Sequence, residues 1–394
     1  MPQEQKTRLL LGFRIGATHS RISYSILEPG KGPEIRGIHQ FPGQPIPGKA
    51  TIPSVIYYSR DGEVRAAGND VGRDCTEALI RNENWVKAER FVLHFQPKDK
   101  VPRQNLTPLP PLPLRKTAVE VLSDFLVYLN NSAKWYIREF LPVGSGSITW
   151  DKVPIHYVLS HPNEWAEPQQ SLMRQAVEAA GLITDNGQNQ LSFVPEGEAC
   201  LDFSIRLEPT DPIWRTGVII ITTNNETVDI NSYTSGTSQA TFIETTEPQC
   251  YARGSGFVTQ AAQEHLYGLL KDSRFHSDIP DMVQYFNRVI KPAFCNPGEA
   301  YYIPLSSTRD THVRLHIREG KLRLDGADIA TFYQPLIKCI IDGALTQRRI
   351  TRRPLYNVLL LGNLASNDYV LGRVQDGLKP HGAGVKRPSA SAQM

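Results

Sequence analysis

The chain has few of the residue types that mark a specialised class of protein. Its 394 residues include five cysteines, Cys75, Cys200, Cys250, Cys295 and Cys339, which are far apart, odd in number and free of CxxC spacing. That is the pattern of reduced thiols in a cytosolic protein, not of a disulfide scaffold. No apolar run approaches membrane-spanning length, and the N-terminal residues 1–8 are polar. A secreted or integral membrane protein is therefore not expected, and the expected location is cytoplasmic. Charge of one sign is also scarce, with 43 basic against 40 acidic residues and a net charge of +3. The basic residues are scattered, so counterion release would drive nucleic-acid binding only weakly, and neither nucleic acid nor membrane is an expected partner.

Core-forming residues, by contrast, are plentiful. Hydrophobic residues make up 40% of the chain, and its length fits about two or three domains. Leu9-Leu10-Leu11-Gly12-Phe13-Arg14-Ile15-Gly16-Ala17-Thr18 leads through a glycine-bearing turn into a second strand with Ile22, Tyr24 and Ile26 on one face. The plan recurs at Gly217-Val218-Ile219-Ile220-Ile221-Thr222-Thr223-Asn224-Asn225-Glu226-Thr227, followed by Val228 and Ile230 in alternation. One strand-turn-strand unit is thus present twice, roughly 200 residues apart.

Between and after these hairpins, periodicity predicts short strands at 35–38 and 54–58, separated by the Pro/Gly-rich 41–48, and a helix over 85–95. The Pro-rich 106–114 is a connector to a helix over 117–140, in which Val121, Leu122, Phe125, Leu126 and Leu129 form a broad apolar face. A strand at 155–160 breaks at His161-Pro162, and a helix over 167–180 stops at Gly181 as a left-handed cap. Helices follow at 256–270 and 281–290, a hairpin at 313–324 around Glu319-Gly320, a long helix at 327–345 and a strand at 358–361. Strands alternating with long helices make the fold class α/β.

The order of these motifs resembles the ATPase domain of the 70-kDa heat-shock protein superfamily, in particular its divergent fungal members. The resemblance spans about residues 9–380 and is carried by several segments. These are His161-Pro162 with the helix 170–181, Phe193-Val194-Pro195-Glu196-Gly197-Glu198-Ala199, Arg253-Gly254-Ser255-Gly256-Phe257 and Lys271-Asp272-Ser273-Arg274-Phe275. It implies an actin-like ATPase fold with ribonuclease H-like duplicated lobes around a central nucleotide cleft. The first lobe would be 1–190, an incomplete second lobe 191–380, and a disordered tail 381–394, the whole C-terminally truncated. Sugar and glycerol kinases share that architecture, but their chemistry needs a substrate-side base that is not identifiable here.

Against the family pattern, the phosphate and metal loops are altered. Where the family has Asp-x-Gly-Thr-Thr, this chain has Arg14 for the Asp and Ala17 for the first Thr, and only Gly16 and Thr18 match. Two unit charges 4 Å apart interact by about 4 kcal/mol at an effective dielectric of 20, so a guanidinium beside a divalent ion costs several kcal/mol. The second loop, Asp-x-Gly-Gly-Gly-Thr in the family, reads Thr222-Thr223-Asn224-Asn225-Glu226-Thr227 here. A carboxylate and three glycines are lost, and Glu226 would repel a polyphosphate. On the adenosine side, a Gly-Gly turn reads Leu361-Gly362-Asn363, with Leu361 expected to crowd the base or ribose. The resemblance also marks Glu196 and Lys87 as matches for catalytic groups, Asp229 as a second metal-cluster carboxylate, Gly254 as part of a turn before a helix, and Lys291 as an adenosine-clamping base.

These departures predict a chaperone-like ATPase-domain protein without catalysis, a pseudo-ATPase, with no cofactor expected and no metal site. One alternative is a weak ATP-binding or ATP-hydrolysing domain, including ATP or ADP held without Mg²⁺ by Arg14. Another is a degenerate, truncated product without selected activity. Expected partners are other chaperone components or proteins, because no peptide-binding module follows the domain.

Overall fold

Strict alternation of side chains produces the first strand. In the computed structural model, β1 (Arg8–Ile15) buries Leu9, Leu11, Phe13 and Ile15 on one face and leaves the intervening residues partly open. The structure describes residues 7–42, 44, 48–72, 74–97, 108–113, 115–141, 150, 153–184, 188–236, 241–305, 311–351 and 355–388. The polar residues 1–6, parts of the two proline-bearing segments (43, 45–47, 106, 107 and 114) and the tail residues 389–394 lie outside the described residues.

The chain divides into two compact units, one of Met1–Lys100 and Thr107–Glu196, the other of Val101–Leu106 and Gly197–Met394. In the first, β1 pairs antiparallel with β2 (His19–Leu27), whose far side takes β3 (Arg36–Gly37) and β4 (Ile52–Pro53). A small sheet follows in which β5 (Val55–Tyr58) lies between β6 (Val64–Ala67) and, beyond α1 (Asp74–Asn82), β7 (Val86–Glu89). Then α2 (Ala118–Phe140) leads to β8 (Ile155–His161), parallel to β1, and α3 (Glu167–Ala179) to β9 (Leu191–Pro195), parallel to β8. The pairing of β9 with β8 carries the first unit through to Glu196.

The second unit repeats this plan. It opens with α4 (Glu196–Leu207), then β10 (Gly217–Thr223) pairs antiparallel with β11 (Val228–Ser235), which takes β12 (Phe242–Glu244) and β13 (Gln249–Tyr251) on its other side. Helices α5 (Ser255–Leu270), α6 (Ile279–Tyr285) and α7 (Lys291–Ala293) precede a small sheet of β14 (Ala300–Pro304), β15 (Ile317–Arg318) and β16 (Lys321–Asp325). The long α8 (Gly326–Thr351) leads to β17 (Asn357–Gly362), parallel to β10, and α9 (Asp368–Leu378) to β18 (Gly384–Lys386), parallel to β17. The strand orders β3-β2-β1-β8-β9 and β12-β11-β10-β17-β18 are therefore the same, down to a split strand beside each hairpin, β3 with β4 and β12 with β13. The duplication visible in the hairpins extends to the whole sheet.

Helix α2 forms because a capping box starts it: Thr117 accepts from the Glu120 amide at 3.2 Å, and Glu120 accepts from the Thr117 amide at 2.8 Å. Its predicted face, Val121, Leu122, Phe125, Leu126 and Leu129, is buried without remainder. Residues of β10 are buried along its whole length. Ile219 and Ile221 pack into the core with α5 and α8, while Val218 and Ile220 meet Cys200, Leu201, Ile213 and Trp214 on the other face. An unbroken apolar run is what a strand covered on both faces requires.

Several predicted elements differ. The helix expected over 85–95 is β7 plus a 3₁₀ turn at Phe91–Phe95, because residues 86–89 satisfy the edge of β5 and Arg90 has a left-handed φ of 53°. The hairpin expected over 313–324 is shorter: Val313–Leu315 is a 3₁₀ turn, and the reversal uses positive φ at Glu319 and Gly320. The helix expected over 281–290 is α6 followed by one π-helical turn, Phe286–Ile290. In the segment expected as a disordered tail, Gly384–Lys386 adds a parallel strand to β17, with Val385 buried. None of the four described cysteines forms a disulfide, and among the described residues no helix is long and apolar enough to cross a membrane.

Phe125 is fully buried against Phe91, whereas Val127 on the same helix is 39% exposed. Phe125→Ala is expected to lower stability by about 3–5 kcal/mol and Val127→Ala by under about 0.5 kcal/mol in urea denaturation. Equal losses at the two positions would contradict the assigned face.

Candidate functional site

The first hairpin turn takes its shape from Gly16, where an added Cβ would lie 2.5 Å from the His19 carbonyl oxygen. Ala17 and Thr18 complete the reversal, and the Thr18 carbonyl accepts from the Ser54 amide at 2.9 Å. Two residues before Gly16, Arg14 near the end of β1 donates Nε–H to Glu196 Oε1 at 3.0 Å. Glu196 directly follows β9, and β1, β8 and β9 are adjacent parallel strands ending on the same side, so the sheet itself delivers both groups. Arg14 also stands directly opposite Arg21 on β2. Burial first, then the Arg14 charge, hold the Arg21 guanidinium below its ordinary pKa. Burial, Arg21 and Lys49, in that order, push His19 down as well. The first turn is a cationic cluster with Glu196 as its counter-charge.

The second turn is held by Asp229, a buried residue of β11. Its Oδ2 accepts from Asn224 Nδ2 at 2.6 Å and from the Thr227 hydroxyl at 3.0 Å. Asn225 Nδ2 donates to Glu226 Oε1 at 3.2 Å, and the Asn224 amide closes the loop onto the Thr227 carbonyl at 2.8 Å. Helix α5 begins against this loop. The Ser255 amide donates to the Asn224 carbonyl at 2.8 Å, Gly256 to Asn225 at 2.7 Å and Gly254 to Glu226 at 3.0 Å. Gly254 is required for the approach, since a Cβ there would come within 2.5 Å of both the Asn225 oxygen and the Thr227 nitrogen. The first N–H groups of a helix form a ready anion site only while they are open. Here the neighbouring peptide carbonyls occupy them.

Thr222 is buried with its hydroxyl 3.8 Å from Cys200 Sγ. Thr223 joins β10 to the end of β17: its hydroxyl donates to the Leu361 carbonyl at 3.1 Å and accepts from the Leu364 amide at 3.1 Å. Gly362 has φ of +91°, and a Cβ on it would lie 2.3 Å from the Thr223 oxygen. Leu361 does not crowd a ligand as the sequence suggests. It is fully buried in the cluster with Cys200, Leu201 and Trp214, because alternate residues of β17 point into opposite cores.

Lys291 is buried, with its ammonium facing the Thr259 hydroxyl at 3.1 Å and the Ser255 carbonyl at 3.4 Å. Burial pushes its pKa down to about 8. Tyr333 and Asn367 fix its backbone by donating to its carbonyl at 2.7 and 3.2 Å. Lys87 lies elsewhere, on β7, in an ion pair with Glu89 at 2.5 Å whose partners are 43% and 41% exposed. That is a solvated surface pair.

The structure therefore brings together Arg14, Gly16, Ala17, Thr18 and Glu196 in the first unit, and Asn224, Asn225, Thr227, Asp229, Gly254, Lys291 and Gly362 around neighbouring strand and helix ends in the second. The first-turn donor set does not fit Mg²⁺, a hard cation that takes carboxylates and water. The first turn offers a guanidinium already paired to its carboxylate, and Asp229 Oδ2 is engaged by its own loop. Sequence reasoning missed the capture of α5 by the second turn. Its signal was Gly254 and Gly256 flanking Ser255, two positions lacking a Cβ where backbone meets backbone. The chain matches no protein-family model and no curated protein.

Three substitutions test these assignments. The lowered Lys291 pKa means that the folded state binds fewer protons than the unfolded state between pH 8 and 10.5, so stability rises with pH through that window and is lowest below it. Lys291→Met is expected to gain up to about 3 kcal/mol at pH 7, with the advantage shrinking toward pH 10.5. A difference that stays flat over that range in denaturation experiments rejects the assignment. Gly362→Ala is expected to cost at least ~2 kcal/mol through positive φ and contact with Thr223. Gly372→Ala, on α9 with nothing within 4 Å, is expected to gain up to ~1 kcal/mol.

Proposed function

We propose that this chain is a chaperone-like ATPase-type frame of the 70-kDa heat-shock kind whose phosphate and metal loops have turned into structural contacts, a pseudo-ATPase that acts by binding other proteins. The actin-like fold is part of this proposal, supported by the repeated strand order of the two sheets. The observation that carries it is the Arg14–Glu196 pair at 3.0 Å. A metal-organising carboxylate and a water-activating carboxylate would repel one another and hold a cation between them. A guanidinium in the first place removes that demand and leaves the second carboxylate neutralised. The hydrogen bonds from α5 to the carbonyls of residues 224–226 support the same reading, since they remove the amides that would cradle phosphate.

A second reading has one observation in its favour, the cationic cluster of Arg14, Arg21 and Lys49 at the first turn. Guanidinium groups grip phosphate directly, so ATP or ADP could be held there without a metal.

Calorimetric and thermal-shift titrations with ATP and ADP separate the readings. The leading one expects no heat and no shift, with or without Mg²⁺, and no Mg²⁺-stimulated turnover. The second expects binding that EDTA leaves unchanged and Arg14→Ala abolishes. ATP hydrolysis that is stimulated by Mg²⁺ and lost in Glu196→Gln would falsify both.

A further inference from the structure

At the C-terminal end of α8, away in the chain from the turns described above, Leu345, Arg348, Arg349 and His381 line a surface depression of about 350 Å³. The volume is at the lower end of small-molecule sites. Of the four described lining residues, three have side chains with N–H donors, and Leu345 is apolar.

The two arginines are not equivalent. Arg348 is held by the fold: its Nη1 donates to the His381 carbonyl at 2.6 Å and its guanidinium lies 5.7 Å from the centre of the Tyr356 ring. It is thus fixed in place as a cation without being neutralised. Arg349 is exposed, and among the described residues no ion pair with a carboxylate involves either arginine. The nearest acidic residue along the helix, Asp342, pairs with Lys338 at 3.6 Å. Arginines in a last helical turn do complement the helix dipole, which is worth about 0.3–1 kcal/mol. That role needs neither a fixed Arg348 nor a depression shared with His381.

We propose that this depression binds a phosphomonoester, with the phosphate held by Arg348, Arg349 and the His381 ring N–H and a small organic stem lying on Leu345. A planar guanidinium matches the tetrahedral oxyanion through paired N–H donors. The Leu345 wall favours an organic body over a second phosphate.

The probe is phenyl phosphate, titrated calorimetrically into the full chain, with phenol and ionic-strength-matched sodium chloride as controls. The expected result is saturable binding that phenol and chloride do not reproduce. Arg349→Ala should weaken it about tenfold or more, Arg349→Lys should restore part of it, and Arg14→Ala should leave it unchanged. Arg349 is exposed, so circular dichroism and the melting temperature of Arg349→Ala are expected to match the parent. Absence of saturable binding, an unchanged affinity in Arg349→Ala, or an equal response to chloride overturns the proposal. Loss of binding in Arg14→Ala with Arg349→Ala intact would move the anion to the first turn and overturn it equally.

Discussion

A helix start cannot be left with bare amides, and in this protein that constraint organises the second unit. The first turn of α5 places its N–H groups on the carbonyls of Asn224, Asn225 and Glu226. This docking holds the β10–β11 turn shut, positions Thr259 and the Ser255 carbonyl to receive the Lys291 ammonium, and ties α5 to the same strand end that Thr223 joins to β17. An anion and a peptide carbonyl compete for the same donors. The carbonyl is always present at effectively fixed geometry, so the loop is closed to an anion by its own backbone.

In the first unit, electrostatics replaces backbone satisfaction as the decisive term. An exposed-to-half-buried ion pair contributes only about 0–1 kcal/mol to stability, and Arg14 is 38% exposed. The pair matters for what it removes from the site. Glu196 has a cation within hydrogen-bonding distance supplied by the chain, and Arg14 meets Arg21 across the ladder, so the turn sets two guanidinium groups against one carboxylate. Both units thus arrive at closed loops by different physics, one by hydrogen bonding and one by charge.

The sequence made the elements legible wherever a period was long and clean. The face of α2 is buried as its spacing predicts, Gly181 has the left-handed φ of +67° expected of a cap, and the paired hairpins at 14–18 and 222–228 fall in the same place in two sheets of one order. Short segments were less legible. Residues 85–95 hold too few turns for a helical period to exclude a strand, and the free edge of β5 decided the matter. Leu361 was misread for a related reason: which face of β17 meets a core depends on what covers that face, and Trp214 and Leu201 come from far along the chain.

What the sequence by itself determined is local or additive: α/β alternation, duplication of the hairpin, and a guanidinium at residue 14 beside the first turn. Only the tertiary structure decided what those residues meet. It brought Glu196 to Arg14 through the adjacency of β1, β8 and β9, set α5 onto the second turn, buried Lys291 and added β18 from a segment with no strand signal of its own. Hydrogen bonds and ion pairs between residues distant in sequence depend on strand order, which no local period encodes.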